Sequence, residues 1–110
     1  MMSKNYETHI VRLWLENDPN DYMYWIGVAS EVWEEAADKE YLTRSEMAQM
    51  ELAAILEDEV SGAVFESCSG SGIASDFLSA SLSEVQWGHI ASIFLESLGV
   101  EYSIASEPVV

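Results

Sequence analysis

Positive charge is scarce in this sequence: four Lys and Arg stand against twenty Asp and Glu, a formal net charge of −16. That balance argues against direct contact with DNA, RNA or an anionic membrane surface, each of which has to be met by a cationic face. Cysteine is scarcer still. With Cys68 alone, no intrachain disulfide and no four-cysteine zinc site can be built. No apolar signal core follows a basic start in residues 1–7, and no run approaches the ~18 uncharged apolar residues of a membrane span. Together with a free thiol, these absences lead to the expectation of a cytoplasmic protein. There is no internal repeat.

Catalytic and ligand-binding signatures are also missing. His9 and His89 are the only histidines, and no HExxH or Glu-x-x-His pair occurs. Glu84 precedes His89 by five residues, which places the two on different helical faces. Asp18-Pro19-Asn20-Asp21 lacks the alternating ligands, central glycine and terminal Glu of an EF-hand loop. Gly70-Ser71-Gly72 has neither the preceding strand nor the following Lys of a phosphate loop. Cys68 has no base or cation predictable beside it. Carboxylates are numerous, but no spacing singles out one pair for acid–base work. The expectation is a protein without enzymatic activity, metal or cofactor.

What is present is a foldable chain. Its 110 residues are 49% hydrophobic and 11% aromatic, enough for one core and too apolar for a disordered acidic tail. Helix-period patterning dominates. Asn5 can cap a first helix with Tyr6, Ile10, Leu13 and Trp14 as its apolar face. Asp18 as N-cap with Pro19 at the first position starts a second helix. It runs to about Glu40 and turns Tyr22, Ile26, Ala29, Trp33 and Ala36 inward. Thr43-Arg44-Ser45-Glu46 is a capping box for a third helix, whose stripe is Ala48, Leu52, Ile55, Leu56 and Val60. Residues 61–72 read as the least structured internal segment, in which Ala63, Val64 and Phe65 either pack on the core or extend the third helix. A short helix from about Ile73 to Leu82 presents Ala74, Phe77, Leu78 and Leu82. Ser83-Glu84-Val85-Gln86 reads as a second capping box. The helix it opens carries Trp87, Ile90, Ala91, Phe94 and Leu98 and is stopped by Gly99 at C′. The fold class is therefore all-α, a compact bundle of about five helices. Residues 1–99 form a single helical domain and residues 100–110 a C-terminal tail, in spite of some strand character at Val100, Tyr102 and Ile104.

The carboxylates are unevenly offset. All four bases, Lys4, Arg12, Lys39 and Arg44, precede Ser45, and beyond it nine Glu and two Asp have no Lys or Arg among them. Glu31, Glu34, Glu35 and Asp38 fall at i, i+3, i+4 and i+7, one strip of a helix. Their spacing is of the same order as that of phosphates along a nucleic-acid strand. Glu51, Glu57, Asp58 and Glu59 gather toward the C-terminal half of the third helix, where the helix dipole opposes them. Like charges at i, i+4 each cost a few tenths of a kcal/mol, so these eight positions are candidate partner-binding residues. Plain solvation is the competing explanation. Adaptation to a salty cytoplasm is another, although such chains favour Asp and here Glu leads by fifteen to five.

The four tryptophans, Trp14, Trp25, Trp33 and Trp87, lie at helical spacing with aliphatics and are expected in the core. The consecutive residues Tyr22, Met23, Tyr24 and Trp25 must point in several directions. With Val28 and Val32 some of them could line a second apolar face, which would permit a homodimer or an adaptor-like docking site. In that alternative the acidity serves solubility alone.

The opening Asn5-Tyr6-Glu7-Thr8-His9-Ile10-Val11-Arg12-Leu13-Trp14-Leu15, with Asn17-Asp18 and residues 22–25, resembles a group of small acidic proteins of phages, plasmids and other mobile elements. Leu82-Ser83-Glu84-Val85-Gln86-Trp87-Gly88-His89-Ile90-Ala91 is similar to a second signature of that group. The two blocks span most of residues 5–95, and the Gly/Ser stretch near 62–72 departs from the pattern. The resemblance implies a mobile-element origin and no mechanism. Joined to the charge pattern, it leads to the expectation of a non-enzymatic inhibitor that mimics nucleic acid. Its partner would be a basic nucleic-acid-binding host protein, such as a CRISPR effector or restriction nuclease.

Overall fold

The computed structural model describes residues 6–67 and 73–102, apart from the side chains of 67, 73–75 and 77. Five helices follow one another: α1 (Tyr6–Asn17), α2 (Pro19–Glu35), α3 (Arg44–Ser67), α4 (Ile73–Ser83) and α5 (Trp87–Ser97). No strand occurs among the described residues, and no helix is long and apolar enough to cross a membrane. The expected Asn5 cap, the Ala74 and Phe77 contacts, Cys68 and the tail from residue 103 lie outside what is described.

Local chemistry explains most boundaries. The Asp18 carboxylate accepts the backbone N–H groups of Asn20 (2.8 Å) and Asp21 (3.4 Å), with Pro19 at N1, so α2 begins where the sequence places it. The capping box of α3 closes in both directions. Glu46 N–H donates to Thr43 Oγ1 at 3.1 Å, and Thr43 N–H donates to Glu46 Oε1 at 3.0 Å. At the far end of α5, Gly99 adopts φ +77°, the left-handed residue that turns the chain out of the helix.

Four expectations are corrected. First, α2 ends at Glu35 rather than near Glu40, because the chain there is claimed by α3. Ala36 turns extended (ψ 149°). The Asp38 carboxylate accepts the Arg44 N–H at 2.7 Å, one of the unpaired donors of the first turn of α3. In return, the Arg44 guanidinium donates to the Trp33 carbonyl from Nε (3.1 Å) and Nη2 (2.6 Å) and lies 4.2 Å over the Trp33 ring. One cation thus closes the carbonyl end of α2, where the dipole favours it.

Second, residues 61–67 are not the least structured internal segment but continue α3, the extension that is one of the two alternatives for Ala63, Val64 and Phe65. Third, α5 opens at Trp87, and the expected box at residues 83–86 does not form. Ser83 is the last residue of α4 and donates to the Ala80 carbonyl at 2.7 Å. Gln86 is the N-cap without a side-chain bond, and its N–H is instead taken by the Thr8 hydroxyl of α1 at 2.8 Å. Fourth, α1 is turned. Thr8 and Leu15 are buried and Val11 is half-buried, whereas Tyr6 is 72% and Trp14 75% exposed. Thr8, Val11 and Leu15 fall at i, i+3 and i+7, a complete inward line that contains the hydroxyl α5 needs. The aromatic stripe is left outside.

The core joins α2, α3 and α5. Trp25, Ala29, Val32 and Trp33 meet Ala48, Leu52 and Leu56, and both sets close on Trp87, Ile90, Ala91, Phe94 and Leu95. Leu15 and Val85 complete it. Polar ties cross the same seam: Gln49 of α3 donates to the Gly88 carbonyl (3.0 Å) and to Ser92 Oγ (2.9 Å) of α5. Ser92 shares a 2.6 Å hydrogen bond with the Tyr102 hydroxyl, whose ring stands edge-on to Trp33. Tyr102 is therefore part of the packed body. No residue of α3 beyond Leu56 is buried among those described. A helix of 24 residues, about 36 Å long at ~1.5 Å per residue, overruns its core, and the molecule measures 44 × 32 × 27 Å.

Candidate functional site

All eight candidate carboxylates are exposed, but they do not form two strips. Glu31, Glu34 and Glu35 keep their i, i+3, i+4 arrangement on the outer side of α2. Asp38 is lost from that row to the α2–α3 connection, where it holds the Arg44 N–H. On α3, Glu57, Asp58 and Glu59 are consecutive and so diverge by about 100° from one to the next, as 3.6 residues per turn requires. Glu51 and Asp58, seven apart, share a line. Glu57 and Asp58 border a shallow depression with Ala54, Ser61 and Phe65. Because α3 continues to Ser67, the triplet sits in mid-helix, and the expected opposition from the helix dipole, which fades within the last turn, does not apply there.

Glu59 faces α2. Its Oε1 accepts the Tyr24 hydroxyl at 2.9 Å, a bond from the second helix to the third. That bond first, then partial desolvation and the negative charges of Glu59 and Glu31, raise the Tyr24 pKa above its ordinary 10.0. Glu31 and Glu59 thus act on one hydroxyl, and carboxylates from two helices flank a single seam.

The cations offer little compensation. Arg12 Nε pairs with Glu16 Oε2 at 2.9 Å, within α1. Arg44 is committed to the Trp33 carbonyl, and Lys39 is exposed. Glu31, Glu34, Glu35, Glu51, Glu57 and Asp58 have no cationic partner among the described residues. No three or more His, Cys, Asp or Glu converge there as metal ligands.

The aromatic run divides as its spacing requires. Tyr22 packs half-buried on Phe94 (5.8 Å between centroids) and Trp25 is buried. Met23 and Tyr24 are exposed, Tyr24 by 51% and edge-on to Trp25. Val32 belongs to the core and Val28 packs against it, so these two valines form no second face. Tyr41 and Met50 are exposed as well, and so on α1 are Tyr6 and Trp14, an exposure that runs against the sequence pattern, which points to core. The signal that could have found it is the rival line Thr8, Val11, Leu15.

Compared with models of known families, with curated proteins and with solved structures, the chain matches none.

Proposed function

We propose that this chain acts by binding, as an anionic decoy for the cationic surface of a nucleic-acid-binding protein. In its most specific form it is a phage or mobile-element inhibitor of a host defence nuclease or CRISPR effector. The observation that carries the reading is the set of exposed carboxylates on a packed helical body, without cationic partners among the described residues. A groove that neutralises phosphates with Lys and Arg accepts another fixed array of negative charge, and a net charge of −16 steers the encounter. The helices matter because carboxylates whose attachment points are already fixed by a packed backbone lose less entropy on binding than those on an unfolded chain. Glu31, Glu34 and Glu35 form the most regular part of that array, and Glu51, Glu57, Asp58 and Glu59 extend it over α3.

Capture on the immobilised chain from host lysate, with elution by a short DNA duplex, tests the reading. The expected catch is a basic nucleic-acid-binding protein that the duplex releases. Capture should weaken in the Glu31→Gln/Glu34→Gln/Glu35→Gln variant. A partner held equally well by that variant, and indifferent to duplex and salt, contradicts the decoy.

A further inference from the structure

Between α1, the first turns of α2 and the overrunning half of α3 runs a groove of about 570 Å³. Ile10 and Val11 form one wall, and Val60, Ala63 and Val64 the other. Trp14 and Tyr24, both exposed, stand at its rim. The groove exists because α3 outlasts the core and because α1 turns its Thr8–Leu15 line inward, leaving Trp14 at the edge. Among the described residues its charged lining is Asp21 and Glu59, with no Lys or Arg.

We infer that this groove seats a cationic amphipathic helix of a partner protein, apolar side chains between Trp14 and Ala63, Lys or Arg against Asp21 and Glu59. Charge complementarity selects that occupant. The Tyr24 hydroxyl fixes Glu59 at the rim, and a carboxylate holding one donor keeps acceptor sites for another. Trp14 adds an exposed indole face over which a cation is attracted. A second copy of the chain would bring −16 against −16. The chain's own residues 103–110 contain Glu107 and no Lys or Arg, so they do not match the rim. The inference is separate from the decoy reading, since a groove partner need not bind nucleic acid.

The test uses the full chain and a labelled amphipathic helical peptide of Leu and Lys, with a scrambled peptide of equal composition as control, read by fluorescence anisotropy. The amphipathic peptide should bind more tightly than the scrambled one. Binding should weaken about tenfold in Trp14→Ser and in Ala63→Gln, the scale of losing one apolar anchor. Both changes are neutral in charge and at exposed positions, and circular dichroism checks that the variants keep their helices. Glu31→Gln/Glu34→Gln/Glu35→Gln, outside the groove, should weaken binding less. Equal binding of the two peptides, or loss that follows net charge and ignores the groove variants, overturns the inference and leaves the decoy standing. A dimer of the chain alone in sedimentation, dissociated by Trp14→Ser, also overturns it by giving the groove to a second copy.

Discussion

Phe94 and Arg44 mark the two kinds of residue on which this molecule depends. Phe94 is 1% exposed at the centre of the core, and truncating such a ring forfeits both its transfer energy and its contacts. Phe94→Ala is expected to cost about 3–5 kcal/mol, a large share of the ~5–15 kcal/mol that holds a domain of this size. A shift of the urea midpoint measures it. Arg44 works by geometry, two donors on one carbonyl and a planar group over an indole. Lys cannot reproduce that fork, so Arg44→Lys should destabilise by about 1–3 kcal/mol in spite of its unchanged charge. Tyr24 gives a pH-dependent handle. Neutral Tyr24 donates to Glu59, so the contribution of that bond is complete below the ordinary pKa of 10.0 and is lost as pH rises through the raised value. Followed by tyrosinate absorbance, Tyr24 should titrate above its ordinary value and move back toward it in Glu59→Gln.

At the scale of the helix, what the sequence made legible was local. Caps built from residues two or three apart, at Asp18 and at Thr43 with Glu46, appear where their spacing puts them, as does the Gly99 stop. Periodicity found the inward faces of α2, α3 and α5, where large apolar residues outnumber rivals. Three of the misreadings have a partner outside their own helix as their cause. Asp38 left its strip for an N–H on the next helix. The box at residues 83–86 gave way to Thr8, 78 positions earlier, and α1 turned its aromatics outward because its hydroxyl line was needed inside. The candidate site was accordingly legible as composition and as the α2 row, but not as an arrangement. Thr8→Val tests the joint directly. It keeps the shape and removes the acceptor of the Gln86 N–H, so about 1–3 kcal/mol should be lost, with faster amide exchange at the start of α5.

For the whole molecule, charge and fold pull in opposite directions. A net of −16, with four Lys and Arg against twenty Asp and Glu, makes the body repel itself, and salt should relieve that repulsion. The melting temperature is expected to rise as salt is added from low ionic strength. Glu31→Gln/Glu34→Gln/Glu35→Gln removes like-charge neighbours worth about 0.2–0.5 kcal/mol per pair, so this variant should be at least as stable as the parent. A decoy that loses its target while gaining stability separates binding from folding. Plain solvation predicts no such loss.

The account turns on whether the partner reads the fixed carboxylates, and the salt dependence of affinity for the captured partner measures this most directly. Affinity should fall steeply as salt rises, with a shallower slope for the triple Gln variant. An affinity that stays level across salt, with parent and variant superimposed, would contradict it.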